Sequence, residues 1–201
     1  MQQFNQISDT GIDYSAVYVY AQESSDRDAL QCSLGTIYTV EDYNDDWTST
    51  EYQRFSTADA WVTNNTKQTK TIWELKNRPD IHIYTYNDGY FNAGKAAKLA
   101  QIQKKHPEFP IYVGLIYPMD KSVVVYPLEE VQKFPKKQVR AWSPDQGKYV
   151  WETNHLVPVS DIDRVHNAGG YIRHWSGCDW DEMYNYNERI GIELSERGLL
   201  E

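Results

Sequence analysis

The octapeptide TIWELKNR, which spans Thr71–Arg78, mixes large apolar side chains with charged ones. Successive side chains of a β-strand point to opposite faces, so Trp73 and Leu75 share one face while Glu74 and Lys76 share the other. The alternation predicts that the first pair packs in the core. It also predicts that the second pair presents an acid and a base on a polar face.

A second β-rich run, DAWVT, begins at Asp59 and is joined to the first by the polar connection NTKQTK. This order predicts an antiparallel hairpin that brings Asp59 beside Glu74. Two neighbouring carboxylates repel each other unless a proton or a cation relieves them, and oxygen ligands suit Mg²⁺. A lysine beside such a metal can orient water for phosphodiester hydrolysis. The alternative is an ordinary charge pair between Glu74 and Lys76 on a solvated sheet face.

The residues before this hairpin carry weaker patterns. SAVYVYA (Ser15–Ala21) alternates and is rich in β-formers, which predicts a strand, whereas SSDRDAL (Ser24–Leu30) begins like a helix. The polar run EDYNDDWTST (Glu41–Thr50) predicts a loop, and YQRFS (residues 52–56) predicts a short strand.

The residues after the hairpin are easier to interpret. DIHIYTY (residues 80–86) predicts a strand that ends at the turn signal Asn87-Asp88-Gly89. Asn92 is the predicted N-cap of an amphipathic helix over Ala93–His106. Ile111–Tyr117 is almost continuously apolar, which is typical of a strand covered on both faces. Further elements are predicted over SVVVYPL (strand), LEEVQKF (short helix), and Val139–Trp142 with Tyr149–Trp151 (hairpin).

The order of these elements predicts an α/β protein. We assign residues 1–140 to an α/β core and residues 141–201 to a C-terminal extension packed on that core, within a single domain.

The net charge is unevenly distributed along the chain of 201 residues. Counting Lys and Arg against Asp and Glu gives −9 for residues 1–63, +6 for residues 64–140 and −6 for residues 141–201. A basic middle segment is consistent with a surface that binds an anion, although solvated lysine-rich helices give the same count.

Composition also narrows the class of protein. No apolar run reaches the roughly 18 residues that a membrane span needs, and the N-terminus has no signal-peptide pattern. Cys32 and Cys178 lie in dissimilar contexts without CxxC spacing, so we expect neither a zinc site nor a disulfide framework. These features predict a soluble, cytoplasmic protein.

The combination of Asp59, a spacer and Glu74-Leu75-Lys76 resembles the motif of the PD-(D/E)XK nuclease superfamily, which includes restriction-endonuclease-like and Holliday-resolvase-like enzymes. The resemblance covers about residues 52–117 and includes the order of elements after the motif. It implies a restriction-endonuclease-like mixed sheet with flanking helices, arranged as an αβββαβ core. It also implies a Mg²⁺-dependent nuclease, with DNA endonuclease as the expected activity.

The same resemblance assigns roles to individual residues. Asp59 and Glu74 would ligate Mg²⁺, or Mn²⁺ in its place, with the Leu75 backbone carbonyl as a third ligand. Lys76 would position or activate the attacking water. The sequence departs from the family pattern at Ala58, where many members have proline.

The resemblance also suggests partners. Arg78, Lys95 and Lys98 are expected to contact nucleic acid, with DNA preferred and no membrane involved. Double-strand cleavage with one active site per chain calls for a homodimer. The first helix of this family often adds a glutamate to the site. The candidates for that position are Glu23, Glu41 and Glu51.

Aromatic residues follow the motif closely. Tyr84, Tyr86, Tyr90 and Phe91 cluster on a predicted hairpin and can stack on bases, although strand packing explains most aromatic residues equally well.

Two other interpretations of the sequence involve different residues. NHLVPVSDIDRVHNAGG (Asn154–Gly170) weakly resembles HNH nucleases through His155, but the segment starts with Asn154 where an acid is usual. His166 and His174 with Cys178 have irregular spacing for a zinc site.

A third alternative is a non-catalytic α/β protein with a nuclease-like fold that binds nucleic acid or a protein partner. The complete set of Asp59, Glu74 and Lys76 favours the enzyme, because a binding protein is free to lose it.

Overall fold

The computed structural model describes residues 12–43, 58–143 and 147–200. Its organising element is strand β3 (Thr69–Asn77), which contains most of the octapeptide. β3 lies between β2 (Ala60–Asn64), with which it pairs antiparallel, and β5 (Ile111–Tyr117), with which it pairs parallel. The predicted hairpin is therefore confirmed.

The strands of the described residues form two sheets. The first has six strands in the order β1-β2-β3-β5-β6-β9, with β1 at Tyr38–Asp42, β6 at Ser122–Pro127 and β9 at Tyr171–His174. The second has three strands in the order β4-β8-β7, with β4 at Asp88–Asn92, β7 at Lys136–Ser143 and β8 at Lys148–Pro158. The predicted hairpin around Val139 and Tyr149 is the distal part of β7 and β8.

Five α-helices connect or cover the sheets within the described part of the chain. They are α1 (Tyr14–Leu34), α2 (Ala93–Lys105), α3 (Leu128–Val131), α4 (Ile162–Asn167) and α5 (Trp180–Glu196). Asn92 caps α2 as predicted, because its side-chain Oδ1 accepts a hydrogen bond from the Lys95 N–H at 3.0 Å. In the described residues, no helix has both the length and the apolar character that crossing a bilayer requires.

Both faces of the six-stranded sheet are buried. Ile72 belongs to a core beneath α2 that includes Leu99, whereas Trp73 and Leu75 belong to a second core beneath α1. The prediction that Glu74 and Lys76 lie on a polar face of β3 is therefore wrong in one respect, because Glu74 is 0% exposed. A solvated charge pair is excluded, and the mixed α/β architecture with helices around a mixed sheet is confirmed.

The predicted strand over Ser15–Ala21 is wrong, since these residues form the first half of α1. The Asp13 carboxylate caps the helix by accepting hydrogen bonds from the Ser15 and Ala16 N–H groups. Tertiary packing overrides the β-rich composition, because α5 passes so close that a Cβ at Gly191 would lie 3.2 Å from Val17 Cγ1. The predicted helix over Ser24–Leu30 is confirmed as the second half of α1.

The predicted strand over residues 80–86 is also wrong. This segment is irregular and is held by Asp120, whose carboxylate accepts a hydrogen bond from the Ile83 N–H at 2.6 Å. The predicted turn at Asn87-Asp88-Gly89 is instead the entry to β4. Gly89 serves close packing between the sheets, since a Cβ there would lie 2.9 Å from Leu115 Cδ1.

The remaining sequence-based elements fall in three groups. The strand over Ile111–Tyr117, the strand that follows it and the short helix of LEEVQKF are confirmed as β5, β6 and α3. Glu41 and Asp42, predicted as loop, are the last residues of β1, whereas residues 44–57, including YQRFS, lie outside the described residues. In the C-terminal part, β9 pairs with β6 and α5 packs along α1.

The two cysteines form a disulfide, which corrects the expectation from their sequence context. Cys32 on α1 is bonded to Cys178, which precedes α5, across a sequence separation of 146 residues. A spacing rule based on neighbouring cysteines cannot detect such a pair, because the packing of α5 against α1 brings the two residues together.

Replacing Cys178 with serine is expected to lower the free energy of unfolding by about 3–5 kcal/mol, because the bond closes a long loop in the unfolded chain. Urea denaturation with and without a thiol reductant measures this effect. The reductant is expected to destabilise the wild type and to leave the variant unchanged. Equal stability of the wild type under both conditions would contradict the prediction.

Candidate active site

Asp59 lies at the point where β2 ends beside β3. Its N–H donates to the Trp73 carbonyl at 2.9 Å, and its Oδ2 accepts a hydrogen bond from the Leu75 N–H at 2.5 Å. Because β2 begins only at Ala60, β3 has no strand partner on this side beyond Trp73 among the residues that the structure describes. The register of the hairpin therefore brings the Asp59 carboxylate to the free edge of β3.

Glu74 is fully buried and is paired with two lysines. Its Oε1 lies 2.8 Å from Lys76 Nζ, and its Oε2 lies 2.9 Å from Lys95 Nζ. Lys76 comes from the same face of β3, whereas Lys95 comes from the first turn of α2. A buried carboxylate requires such partners, because an unpaired charge in the interior is strongly unfavourable.

The charges of this group depend on one another. Burial and then the negative charge of Asp59 raise the pKa of Glu74 to about 7, against the opposing effect of Lys76 and Lys95. Burial alone lowers the pKa of Lys76, but the charges of Glu74 and Asp59 outweigh it and raise that pKa. Lys76 is therefore a cation at neutral pH, held between two acids.

Helix α1 adds two further carboxyl groups. A cavity of about 340 Å³ lies beside the free edge of β3, and we call it the acidic cavity. Among the residues that line it are Glu23 and Asp26 from α1, Asp59, and Leu75, Lys76 and Arg78 from the β3 region. Burial and the charge of Asp59 raise the pKa of Glu23. Of the three glutamates left open by the sequence, Glu23 lies here, Glu41 lies on β1, and Glu51 lies outside the described residues.

Asp26 is the second contribution of α1, and no sequence motif singled it out as a site residue. Its Oδ1 accepts hydrogen bonds from Asn77 Nδ2 at 2.5 Å and from Trp180 Nε1 at 3.3 Å. Burial raises the pKa of Asp26 to about 7, although both hydrogen bonds act in the opposite direction. The sequence pattern placed Asp26 in a helix and left Glu23 as one of three candidates, but it assigned the start of α1 to a strand and so did not place either carboxylate beside Asp59.

The raised pKa of Asp26 predicts a pH-dependent stability. An acid with a higher pKa in the folded state binds more protons there, so its contribution to stability is lost as pH rises from about 4 to about 7. Asp26→Asn keeps an acceptor oxygen and removes the titration, so its free energy of unfolding should depend less on pH over this range. Urea unfolding at several pH values compares the two proteins, and parallel pH profiles would contradict the prediction.

The predicted nucleic-acid contacts occupy three different environments. Arg78 donates to the Tyr90 carbonyl at 2.7 Å and so bridges the two sheets. Lys95 is directed to Glu74, as described above. Lys98, also on α2, is exposed. Of these three residues, only Arg78 lines the acidic cavity.

The four aromatic residues that were predicted to stack on bases also differ in their exposure. Tyr84, Tyr86 and Tyr90 are exposed, but Phe91 is fully buried and cannot stack on a ligand. The sequence pattern missed this difference because it placed the four residues on one hairpin.

The alternative histidine sites are not supported by the geometry. His155 is 2% exposed and lies on β8, with its Nδ1 3.2 Å from the Phe134 carbonyl oxygen. Cys178 is in the disulfide and cannot ligate zinc, and His174 contacts the Ser122 hydroxyl. Over residues 12–43, 58–143 and 147–200, no three His, Cys, Asp or Glu side chains converge as a metal-binding group.

Comparison with known proteins gives little further information. No protein-family model matches the chain, and no curated protein matches it. Among solved structures, the chain is similar to Hjc, a Holliday junction resolvase from the archaeal hyperthermophile Archaeoglobus fulgidus, with 16% sequence identity and a TM-score of 0.39. The match covers 71% of this chain and 95% of the resolvase chain. At these values the similarity establishes neither fold nor function.

Proposed function

We propose that this protein is a Mg²⁺-dependent nuclease that hydrolyses phosphodiester bonds in DNA as an endonuclease. One observation carries the proposal: Asp59 binds the free edge of β3 at Leu75, directly beside the buried Glu74 and Lys76. An acid immediately before β2, and an acid and a lysine on the adjacent β3, are the groups that the PD-(D/E)XK motif requires.

The order of elements supports the same family resemblance. The chain order α1, β1, β2, β3, β4, α2 and β5 would match the αβββαβ order implied by the resemblance if β4, which belongs to the second sheet, is an insertion. Residues 141–201 would extend this core, with β9 joining the six-stranded sheet and α5 packing on α1. A homodimer would supply the second active site that cleavage of both strands needs.

The chemical types of the donor atoms suit a hard divalent cation. Asp59 and Glu74 provide carboxylate oxygens, and the Leu75 carbonyl lies on the same strand edge as its N–H, which faces Asp59. Two carboxylates and a carbonyl suit Mg²⁺ or Mn²⁺, which retain several waters, so a third acidic side chain is not required. Burial raises the pKa of Glu23, Asp26 and Glu74, and the negative charge of Asp59 raises each of them further. A cation beside Asp59 would offset this repulsion.

The protein residues have separate roles in this proposal. The bound metal would supply charge stabilisation at the phosphate and a more acidic water. Lys76 remains charged and orients that water, while Glu74 fixes the ammonium of Lys76. Glu23 adds a carboxylate on the opposite wall of the acidic cavity, and Arg78 offers a guanidinium to a neighbouring phosphate.

A second candidate function is a nucleic-acid-binding protein without turnover. The observation that favours it is the complete neutralisation of Glu74 by Lys76 and Lys95 inside the protein. In that case Glu74, Lys76 and Lys95 are a structural ion-pair group. Loss of the Lys76 charge then changes the stability of the protein and no catalytic rate.

The rate at which the Lys76→Met variant cleaves DNA distinguishes the two candidate functions. The wild type is expected to cut branched or linear DNA in the presence of Mg²⁺ and to stop when EDTA is added. The variant is expected to lose about 10²-fold or more in rate, because a group that positions the reacting water is lost.

Lys133→Met is the matched control for this experiment. Lys133 also forms an ion pair with a glutamate, since its Nζ lies 2.7 Å from Glu130 Oε1, but it is exposed and distant in sequence from the site. Its variant should cut at the wild-type rate. Wild-type cleavage by a folded Lys76→Met protein would refute the proposed role of Lys76.

A further inference from the structure

A second and larger cavity lies between the two sheets. Its volume is about 510 Å³, which is in the range of sites for small ligands. One wall is the irregular segment that follows β3, and the opposite wall is the three-stranded sheet. We call it the tyrosine cavity after the three tyrosines in its lining, which are Tyr86, Tyr90 and Tyr117.

The walls of the tyrosine cavity combine rings and aliphatic side chains. Tyr86 and Tyr90 are 60% and 40% exposed, so their rings are accessible to a ligand, whereas Tyr117 is buried in the floor. Ile83 and Leu156 add apolar surface. Accessible aromatic rings beside apolar side chains form a surface on which a planar base can stack.

Charged and polar groups surround this apolar surface. Arg78 and Lys137 provide two cations, and Asn87 provides an amide that donates and accepts hydrogen bonds. The Asp88 carboxylate, whose Oδ1 is paired with Arg164 Nη2 at 2.6 Å, adds acceptor oxygens. The lining thus contains groups for each part of a nucleotide, namely a phosphate, a flat base and the hydrogen-bonding edge of that base.

Arg78 connects this cavity to the acidic cavity. It is the one residue that lines both of them among the residues that the structure describes. Its N–H donates to the Ile116 carbonyl at 2.8 Å, and its guanidinium donates to the Tyr90 carbonyl. The guanidinium is therefore fixed at the junction between the proposed hydrolytic site and the tyrosine cavity.

We infer that the tyrosine cavity binds one unpaired nucleotide of the DNA substrate, next to the phosphate that is cut. The placement of this nucleotide next to the cut phosphate rests on the proposed function, whereas the binding of the nucleotide does not. A base within a duplex is stacked and paired, so it cannot enter a concave site unless it is extruded. The preferred substrates are therefore DNA molecules with an unpaired base, such as a flap, a bubble or a branch point.

The experiment compares two fluorescently labelled DNA molecules of the same length, one fully paired and one with a short unpaired segment. Fluorescence anisotropy in EDTA measures binding without turnover. The wild type is expected to prefer the DNA with the unpaired segment. Tyr90→Ala is expected to weaken that binding about tenfold, as stacking on one aromatic ring is lost, and to leave the paired duplex unaffected.

Two further proteins make the result interpretable. Tyr186→Ala removes an exposed tyrosine on α5, outside the cavity lining, and should bind both DNA molecules as the wild type does. Tyr90→Phe keeps the ring and should also bind as the wild type does, which guards against a folding defect in Tyr90→Ala. A wild type without preference, or a Tyr90→Ala protein that binds the unpaired segment normally, would overturn the inference.

The same experiment distinguishes failure of the inference from failure of the proposed function. Binding is measured without metal, so a protein that never cleaves DNA can still show the Tyr90-dependent preference. Conversely, Mg²⁺-dependent cleavage that is lost in Lys76→Met but unaffected by Tyr90→Ala on every substrate would retain the nuclease and reject the nucleotide site.

Discussion

Asp59→Asn is expected to reduce the proposed Mg²⁺-dependent DNA cleavage by at least about 10²- to 10³-fold, since Asp59 would be a ligand of a metal that supplies several kcal/mol of charge stabilisation. The substitution is nearly isosteric, and the amide oxygen can still accept the hydrogen bond from the Leu75 N–H. The local structure should therefore remain, while the negative charge at the free edge of β3 is removed.

The loss of the Asp59 charge should also be visible without any substrate. The charge of Asp59 contributes to the raised pKa of Glu23, Asp26 and Glu74, so all three should titrate at lower pH in the variant. NMR titration of the carboxyl carbons measures this directly. Asp80→Asn is a suitable control, because Asp80 is an exposed aspartate in the turn after β3.

Two results would contradict these expectations. Full cleavage by Asp59→Asn would exclude Asp59 as a metal ligand. An unchanged titration of Glu74 would show that the two carboxylates do not interact, even though Asp59 contacts the residue next to Glu74.

The central part of the site was predictable from sequence because it depends on local patterns. The alternation in β3 and the polar connection before it determine which residues pair with β2, and that pairing determines where Asp59 meets Leu75. The cap at Asn92 likewise determines where α2 starts, and therefore where Lys95 lies.

The remaining part depends on contacts between segments that are distant in the sequence. The first half of α1 is helical because it packs against α5, and its own composition favours a strand. The pairing of Lys95 with Glu74 and the disulfide between Cys32 and Cys178 arise from the same kind of contact. A single sequence does not encode these contacts in any short pattern.

Lys95→Met is expected to lower the free energy of unfolding by about 2–4 kcal/mol at neutral pH, because it leaves Glu74 buried with only one of its two ion pairs. Lys76 still compensates part of the charge, which keeps the expected loss below that of an unpaired buried ion. Lys98→Met is the control on the same helix, since Lys98 is exposed, and it should change the free energy of unfolding by no more than about 0.5 kcal/mol.

The loss should grow with pH, and the sign follows from the titration of Glu74. Lys95 lowers the pKa of Glu74, so removing it raises that pKa above about 7. Below the new pKa the carboxyl is protonated in the folded protein, which limits the loss, whereas above it the charge stays poorly compensated. Urea unfolding should therefore show a larger difference between wild type and variant at about pH 9 than at about pH 6.

A double-mutant cycle with Glu74→Gln identifies the cause of the instability. Once the charge of residue 74 is gone, replacing Lys95 with methionine should cost less than about 1 kcal/mol, because no buried anion is left without its partner. If Lys95→Met lowers the free energy of unfolding equally with and without the Glu74→Gln substitution, the loss comes from packing of the aliphatic part of the Lys95 side chain. In that case the ion pair between Glu74 and Lys95 does not stabilise the fold, and Lys76 alone compensates the buried carboxylate.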